Sequence, residues 1–128
     1  MAPKLSRQVV VKAVTKFLAE YSRTDENHFM FSYNIYIRNE TADPVQLLSR
    51  HWYIFDSNNS IKEVKGEGVV GQQPIIQPQE EHSYQSFCEL SSDIGLMWGN
   101  YLMKNLATDK LFEVKIPEFQ LITPSRLN

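Results

Sequence analysis

Cysteine is almost absent from this sequence of 128 residues, in which Cys88 is the only one. One thiol cannot form an intrachain disulfide and cannot assemble a thiolate metal cluster within one chain. The acidic neighbour Glu89 favours the protonated thiol, so the sequence predicts that Cys88 is inert. This use of cysteine fits a reducing compartment, and we expect a cytoplasmic protein.

Long apolar runs and clusters of basic residues are also missing. No window approaches the roughly 20 apolar residues of a membrane-spanning helix, and residues 1–8 lack the apolar stretch of a signal peptide. The 13 basic residues are scattered along the chain and face 15 acidic ones, which gives a formal net charge of -2. Nucleic-acid binding needs a basic face that displaces counterions. The composition therefore predicts no nucleic acid and no membrane as partner.

Catalytic and metal-binding motifs are scarce as well. The sequence has neither a Gly-x-Ser-x-Gly elbow nor a His-Glu-x-x-His helix, and His28, His51 and His82 lie far apart. The acidic pairs Glu80-Glu81 and Asp25-Glu26 fall in predicted turns, where carboxylates are normally solvated. We expect no enzymatic activity, no cofactor and no metal site.

Strand periodicity is the strongest positive signal. Residues 29 to 37 alternate, with Phe29, Phe31, Tyr33, Ile35 and Ile37 on one face. A second run, 45 to 55, carries bulky residues on both faces, which predicts a central strand covered on both sides and paired antiparallel with the first run. Shorter candidate strands cover 8–18, 61–65, 83–87, 98–105, 111–116 and 119–122. Helical periodicity is poor, and six prolines and five glycines interrupt the chain.

This pattern of seven or so short strands, each apolar on one face, predicts an all-β fold. The expected architecture is an antiparallel sandwich of the immunoglobulin or fibronectin type III kind. The length suits one domain over 1–128 with a core from about 8 to 124. Trp52, on the predicted central strand, is expected to be the largest filler of that core.

A glycine-rich segment, Gly66-x-Gly68-x-x-Gly71, spells the fingerprint of dinucleotide-binding folds. In that fingerprint the last glycine opens a helix that holds the pyrophosphate, but Pro74 and Pro78 leave no room for one here. Two interpretations remain. The glycines either permit a bulge or a positive φ between sheets, or they direct backbone amides at an anion without a helix.

The anion hypothesis has a definite set of residues. Gly66, Gly68 and Gly71 would supply amides, and Arg50, His51 and Lys65 would supply charge to a phosphate-containing small molecule. For Arg50, which lies in a run expected to be buried, the alternative is a structural pairing with the carboxylate of Glu67 or Glu63.

A second candidate surface is the group Met97 and Trp98, which lies between Gly95 and Gly99 next to a predicted loop. Met and aromatic side chains at one end of a sandwich are common in protein contacts. The alternative is that Trp98 closes one end of the core.

Several ordered motifs in this chain resemble the ApaG family. They are Ile37-Arg38-Asn39, the stretch from Val45 to Trp52, Glu63 to Pro74, Tyr84-x-Ser86, Gly95-x-Met97-x-Gly99-x-Tyr101-x-Met103 and Ile116-Pro117-x-Phe119-x-Leu121. The resemblance runs from Val9 to Pro124. One departure is Pro78-Gln79-Glu80, where the family usually has Pro-Gly-Glu, so the geometry of that turn is expected to differ.

The resemblance implies a fibronectin-like sandwich with the glycine motif in a loop and no established enzymatic activity. It also implies a genetic link to cobalt resistance and magnesium efflux, and a likeness to protein-binding domains of eukaryotic F-box proteins. We expect a non-enzymatic domain that binds an unidentified protein partner. Binding of an anion or pyrophosphate at Gly66 to Gly71 is the alternative, and direct binding of Co²⁺ or Mg²⁺ is a third.

Overall fold

The computed structural model describes residues 8–127. They form eight strands: β1 (Val9–Phe17), β2 (Phe29–Asn39), β3 (Val45–Asp56), β4 (Ser60–Glu67), β5 (Ile75–Ile76), β6 (Glu81–Leu90), β7 (Ile94–Asn105) and β8 (Leu111–Ile122). Helix in this described part of the chain is confined to three short 3-10 segments, at Ala19–Tyr21, Thr24–Glu26 and Pro124–Leu127. Within residues 8–127 no helix has the length and apolarity needed to cross a membrane.

The strands form two antiparallel sheets that pack face to face. One sheet has the order β1-β2-β6, and the other has the order β4-β3-β7-β8 with β5 paired to the end of β3. This arrangement confirms the predicted all-β sandwich. The finer assignment to the immunoglobulin or fibronectin type III kind stays a prediction.

The expected pairing between β2 and β3 is wrong, because the two strands lie in different sheets. The five residues that join them cross the sandwich through a buried polar network. Asn39 Nδ2 donates to the carbonyls of Asp43 and Ile76, each at 2.9 Å, and Thr41 N donates to Asn39 Oδ1 at 2.9 Å. Asn39 and Thr41 are buried, where water cannot reach their polar groups. These hydrogen bonds give the buried polar groups of the connection their partners.

The bulk on both faces of β3 has a different cause from the predicted one. A register shift between Leu47 and Ser49 inserts a bulge, which moves the inward face from Val45 and Leu47 to Arg50 and Trp52. β3 is central, as predicted, because it pairs with both β4 and β7. Its outer face is not covered by a second layer within residues 8–127, and the side chains there are half-buried.

The core fills the space between the sheets, and Trp52 is buried in it, as predicted. Its indole meets Tyr33, Tyr101 and Phe119 edge to face or nearly so, with ring centroids 5.6 to 6.3 Å apart. Aromatic pairs prefer this geometry because the positive ring edge meets the negative face.

Residues 111–122 form one strand where the sequence suggested two. Pro117 cannot donate a hydrogen bond to a sheet, yet β8 continues through it because the register shifts opposite Met97–Gly99. A bulge on an edge strand accommodates a residue that has no N–H donor. The expected break at Pro117 is therefore wrong.

Candidate functional site

The glycine-rich segment forms a tight turn after β4. Val69 and Gln72 exchange two backbone hydrogen bonds, of 2.8 and 3.0 Å, and the two residues between them have positive φ, 48° at Val70 and 75° at Gly71. Two central residues with positive φ define a type I′ turn. The structural interpretation of the glycines is confirmed at Gly68 and Gly71, both of which have positive φ.

Most backbone amides of this turn already donate hydrogen bonds to other backbone groups of the chain. Gly68 N donates to Leu48 O at 2.8 Å, and Val69 N and Gln72 N donate within the turn. Fewer amides are therefore left for an anion than the sequence hypothesis assumes.

Arg50 meets the glycine segment from the inner face of β3. Its Nη1 donates to the backbone carbonyls of Glu67, at 3.0 Å, and Gly68, at 2.9 Å. The segment thus presents carbonyl oxygens, not amides, to the guanidinium. The predicted pairing of Arg50 with a carboxylate of Glu63 or Glu67 is wrong, because backbone oxygens take that place.

A cavity of 270 Å³ opens between β6 and the turn, and we call it the edge cavity. Arg50 lines it together with buried Tyr33 and Trp52. Two apolar side chains on its border are largely exposed: Val70 of the turn, at 63%, and Phe87 of β6, at 60%. The remaining lining comes from Val69, Gly71, Tyr84, Gln85 and Ser86.

Buried tyrosines set the electrostatics beside this cavity. The hydroxyls of Tyr84 and Tyr101 share a short hydrogen bond. Burial raises the pKa of Tyr33, Tyr84 and Tyr101, and the positive charge of Arg50 opposes that rise. The hydroxyls therefore stay neutral at physiological pH, where they donate and accept hydrogen bonds beside a fixed positive charge.

His51 and Lys65 are paired on the outer face of the sheet, whereas the Arg50 guanidinium contacts the glycine segment from the inner face. Both approach Glu63: His51 Nε2 lies 2.5 Å from its Oε1, and Lys65 Nζ lies 3.9 Å from the same atom. A depression of 430 Å³ includes Arg50, His51, Lys65 and Gly66 in its lining, together with Glu67 and Glu113. The acidic side chains offset the positive charge that an anion would need.

The two residues predicted as a protein contact have different positions. Met97 is only 1% exposed and packs in the core, so its prediction as a contact is wrong. Trp98 points to the outer face, where its ring stacks on Tyr53 with centroids 5.6 Å apart, so it does not close the core. His51 also stacks on Tyr53, with ring centroids 4.6 Å apart. Trp98 as a contact residue stays a prediction.

Reactive and metal-binding groups are sparse in the part of the chain that is described. Burial raises the pKa of the Cys88 thiol to about 11, which disfavours the nucleophilic thiolate. Among residues 8–127 no three or more His, Cys, Asp or Glu side chains lie together as a metal site would require.

Sequence reasoning missed the exposed pair at the edge cavity. Phe87 shares the exposed face of β6 with the polar residues Gln85 and Glu89, and only the fold brings it near Val70. One local signal was available. Val-Gly occupies a turn type whose usual sequence is Asn-Gly, so Val70 is out of place on conformational grounds.

Comparison with known proteins agrees with this fold. The family model of the ApaG domain matches residues 19–105. Protein ApaG of Pseudomonas fluorescens is 45% identical over 122 residues, which cover 94% of this chain and 95% of that protein. A crystal structure from Bordetella pertussis, described as an ApaA protein, is 38% identical with a TM-score of 0.88, over 91% of this chain and 94% of that one. The structural-genomics target SoR45 is 34% identical with a TM-score of 0.88, over 94% and 91%. The chain belongs to the ApaG family.

Proposed function

We propose that this chain is a non-enzymatic domain of the cytoplasm that binds a protein partner at the edge cavity. The observation that carries the proposal is the exposure of Val70 and Phe87 on two different elements that border the same cavity. Apolar side chains that border a pocket lined by aromatic and polar groups are typical centres of protein interfaces.

The interior of the cavity suits recognition better than catalysis. Arg50 is held by two carbonyls, so its guanidinium has a defined position and little conformational entropy to lose on binding. The neighbouring tyrosine hydroxyls are neutral, and the Cys88 thiol is protonated at physiological pH. On this proposal, the link of the family with cobalt resistance and magnesium efflux runs through a partner protein.

The strain at Val70 is a second support. A β-branched residue at positive φ is unfavourable, and such strain often marks a functional position. Asn would relieve it but would remove the exposed apolar side chain. If the side chain of Val70 contacts a partner, we expect valine at this position in spite of the strain.

Affinity capture tests the proposal, with the wild-type chain compared with Phe87→Ser. The matched control is Leu111→Ser, because Leu111 is also 60% exposed but lies on β8, away from the cavity lining. We expect wild type and Leu111→Ser to recover a stoichiometric partner that Phe87→Ser loses. Equal recovery by all three chains would contradict the proposal, and loss with Trp98→Ala alone would move the contact to the outer face.

Anion binding is the second candidate, and it is favoured by the convergence of Arg50 with Tyr84 and Ser86 in the edge cavity. A ligand of the native state raises the melting temperature by mass action. Pyrophosphate at millimolar concentration should then stabilise wild type but not Arg50→Gln, each compared with its own ligand-free value. The absence of any shift in wild type would contradict this candidate.

A further inference from the structure

The free edge of β6 offers a specific way to hold the partner. We propose that an extended segment of the partner protein adds to β6 as a fourth strand of the sheet β1-β2-β6, with basic residues at both ends of the segment. This inference rests on the proposed function and specifies the chemistry of the partner.

The hydrogen bonds of β2 show which groups of β6 are free. Asn39 N donates to Glu80 O at 3.0 Å, so the odd-numbered residues of β2 direct their backbone toward β6. Their partners on β6 are even-numbered, as in the pair Tyr33 and Ser86. Antiparallel strands alternate strictly in this respect. The backbone N–H and C=O groups on the free edge therefore belong to Glu81, Ser83, Gln85, Phe87 and Glu89.

β6 lacks the protective features of the other long edge strands in residues 8–127. Proteins guard free edges against pairing with lysine, proline or bulges. The other three long edge strands carry such residues: Lys12 and Lys16 in β1, Lys62 and Lys65 in β4, and Lys115 and Pro117 in β8. The ten residues of β6 include no Lys, Arg or Pro. An unguarded edge of this length is suited to accept a strand.

Charge specifies the segment that would fit. Glu81 and Glu89 lie near the two ends of β6 and are both exposed, and Glu89 Oε1 is 3.4 Å from Nε2 of His28. Lys or Arg at the ends of an incoming segment would face these carboxylates. Two residues of opposite charge directly across from each other stabilise a cross-strand pair. A second copy of this chain fits less well. In a register centred on Gln85, Glu81 of one copy would face Glu89 of the other.

Side chains of an added strand alternate between the two faces of the sheet. Those that face inward would enter the edge cavity, where Trp52 and Tyr84 offer apolar surface. Those that face outward would meet Phe87 and an apolar depression that it shares with Leu18, Tyr21 and Met30. Aliphatic residues between the basic ends would be accommodated on both sides.

Titration of the full, isotope-labelled chain with a synthetic peptide tests the inference. The probe is acetyl-Lys-Thr-Val-Thr-Val-Thr-Val-Thr-Lys-amide, whose two lysines are eight positions apart, as Glu81 and Glu89 are. Its control replaces both lysines with glutamates. We expect the lysine peptide to shift the amide resonances of Glu81, Ser83, Gln85, Phe87 and Glu89. The glutamate peptide should bind at least about tenfold more weakly, because its negative charges repel Glu81 and Glu89.

Two substitutions at Gln85 make the test specific. Gln85→Pro removes a backbone N–H donor on the free side of β6 only. Gln85→Lys adds a positive charge that repels the lysine peptide, and it serves as the test if the proline variant does not fold. Either one should abolish binding of the lysine peptide, whereas Gln85→Thr retains the N–H and should bind like wild type. Binding that survives both substitutions, resonance shifts confined to other strands, or no binding at millimolar peptide would each overturn the inference.

Failure of this inference is separable from failure of the proposed function. If Gln85→Lys still captures the partner that Phe87→Ser loses, the edge cavity binds a protein but not through strand addition. If sedimentation shows that the wild-type chain dimerises and Gln85→Lys is monomeric, a second copy occupies the edge and the basic partner is excluded.

Discussion

The guanidinium of Arg50 occupies the space that a side chain at Gly66 would need. A Cβ atom built on Gly66 would lie 2.7 Å from Nη1 and 2.8 Å from Cζ of Arg50. Glycine at this position therefore has a packing reason that is separate from phosphate binding. It lets the arginine lie flat across β4 and reach the carbonyls of Glu67 and Gly68.

Gly66→Ala should displace Arg50 and lower the free energy of unfolding by about 1.5–3 kcal/mol, the range for hydrogen bonds to charged groups. The guanidinium can swing away, so the cost is the loss of its two hydrogen bonds. Urea unfolding of Gly66→Ala, Arg50→Met and the double variant measures the coupling. We expect Gly66→Ala to cost much less in the Arg50→Met background. Additive effects would show that the two residues act independently.

Val70→Asn should stabilise the protein by about 1 kcal/mol, because Asn tolerates positive φ and a β-branched side chain does not. Val70 is 63% exposed, so little packing is lost. Thermal unfolding should show a higher melting temperature for Val70→Asn. Val70→Thr keeps the branched Cβ and should show no gain. If the threonine variant rises equally, conformational strain is not the cause.

The alternation of polar and apolar residues was enough to predict β2 and most of the core, because a strand with one buried face imposes a period of two. It could not predict the bulge of β3, since a register shift and a strand buried on both faces give the same mixed pattern around Leu48. The predicted pairing of β2 with β3 was wrong, because the buried network of Asn39 and Thr41 determines the path of the connection between them.

The candidate site was harder to predict than the fold. Arg50 contacts the glycine segment through carbonyl oxygens, whereas the anion hypothesis used its amides, and the sequence does not tell carbonyls from amides at a contact. Phe87 and Val70 are brought together only by packing between sheets. Such long-range proximity leaves no periodic signal, so the exposed pair emerges from the structure alone.

Gly99→Ala should be among the most destabilising small substitutions. Gly99 lies opposite Trp52, and an added Cβ would lie 2.1 Å from the carbonyl oxygen of His51. Backbone atoms cannot move aside as a side chain can, so β3 and β7 would have to separate. We expect a loss of at least about 2 kcal/mol in urea unfolding, typical of overpacking.

Gly71→Ala is the control for Gly99→Ala, because a Cβ there meets nothing within 4 Å and the cost is limited to its positive φ. If the two variants lose equal stability, the close approach of β7 to β3 does not explain the glycine at residue 99.

Stability should fall steeply above about pH 10. Burial holds the pKa of Tyr33, Tyr84 and Tyr101 above that of an ordinary tyrosine, near 10. As the pH rises past 10, the unfolded chain releases these protons while the folded chain retains them. Unfolding is then favoured by up to about 1.4 kcal/mol per pH unit for each such group. Cys88 adds to the slope between about pH 9 and its folded pKa of about 11.

Urea unfolding monitored by tryptophan fluorescence at intervals from pH 8 to 11 measures this slope. The double substitution Tyr84→Phe with Tyr101→Phe should flatten it, because both hydroxyls of the shared hydrogen bond are removed and neither is left unpaired. Tyr21 is exposed, so Tyr21→Phe should leave the slope unchanged. A free energy of unfolding that stays constant up to pH 11 in wild type would show that the buried hydroxyls ionise without a penalty in the folded state.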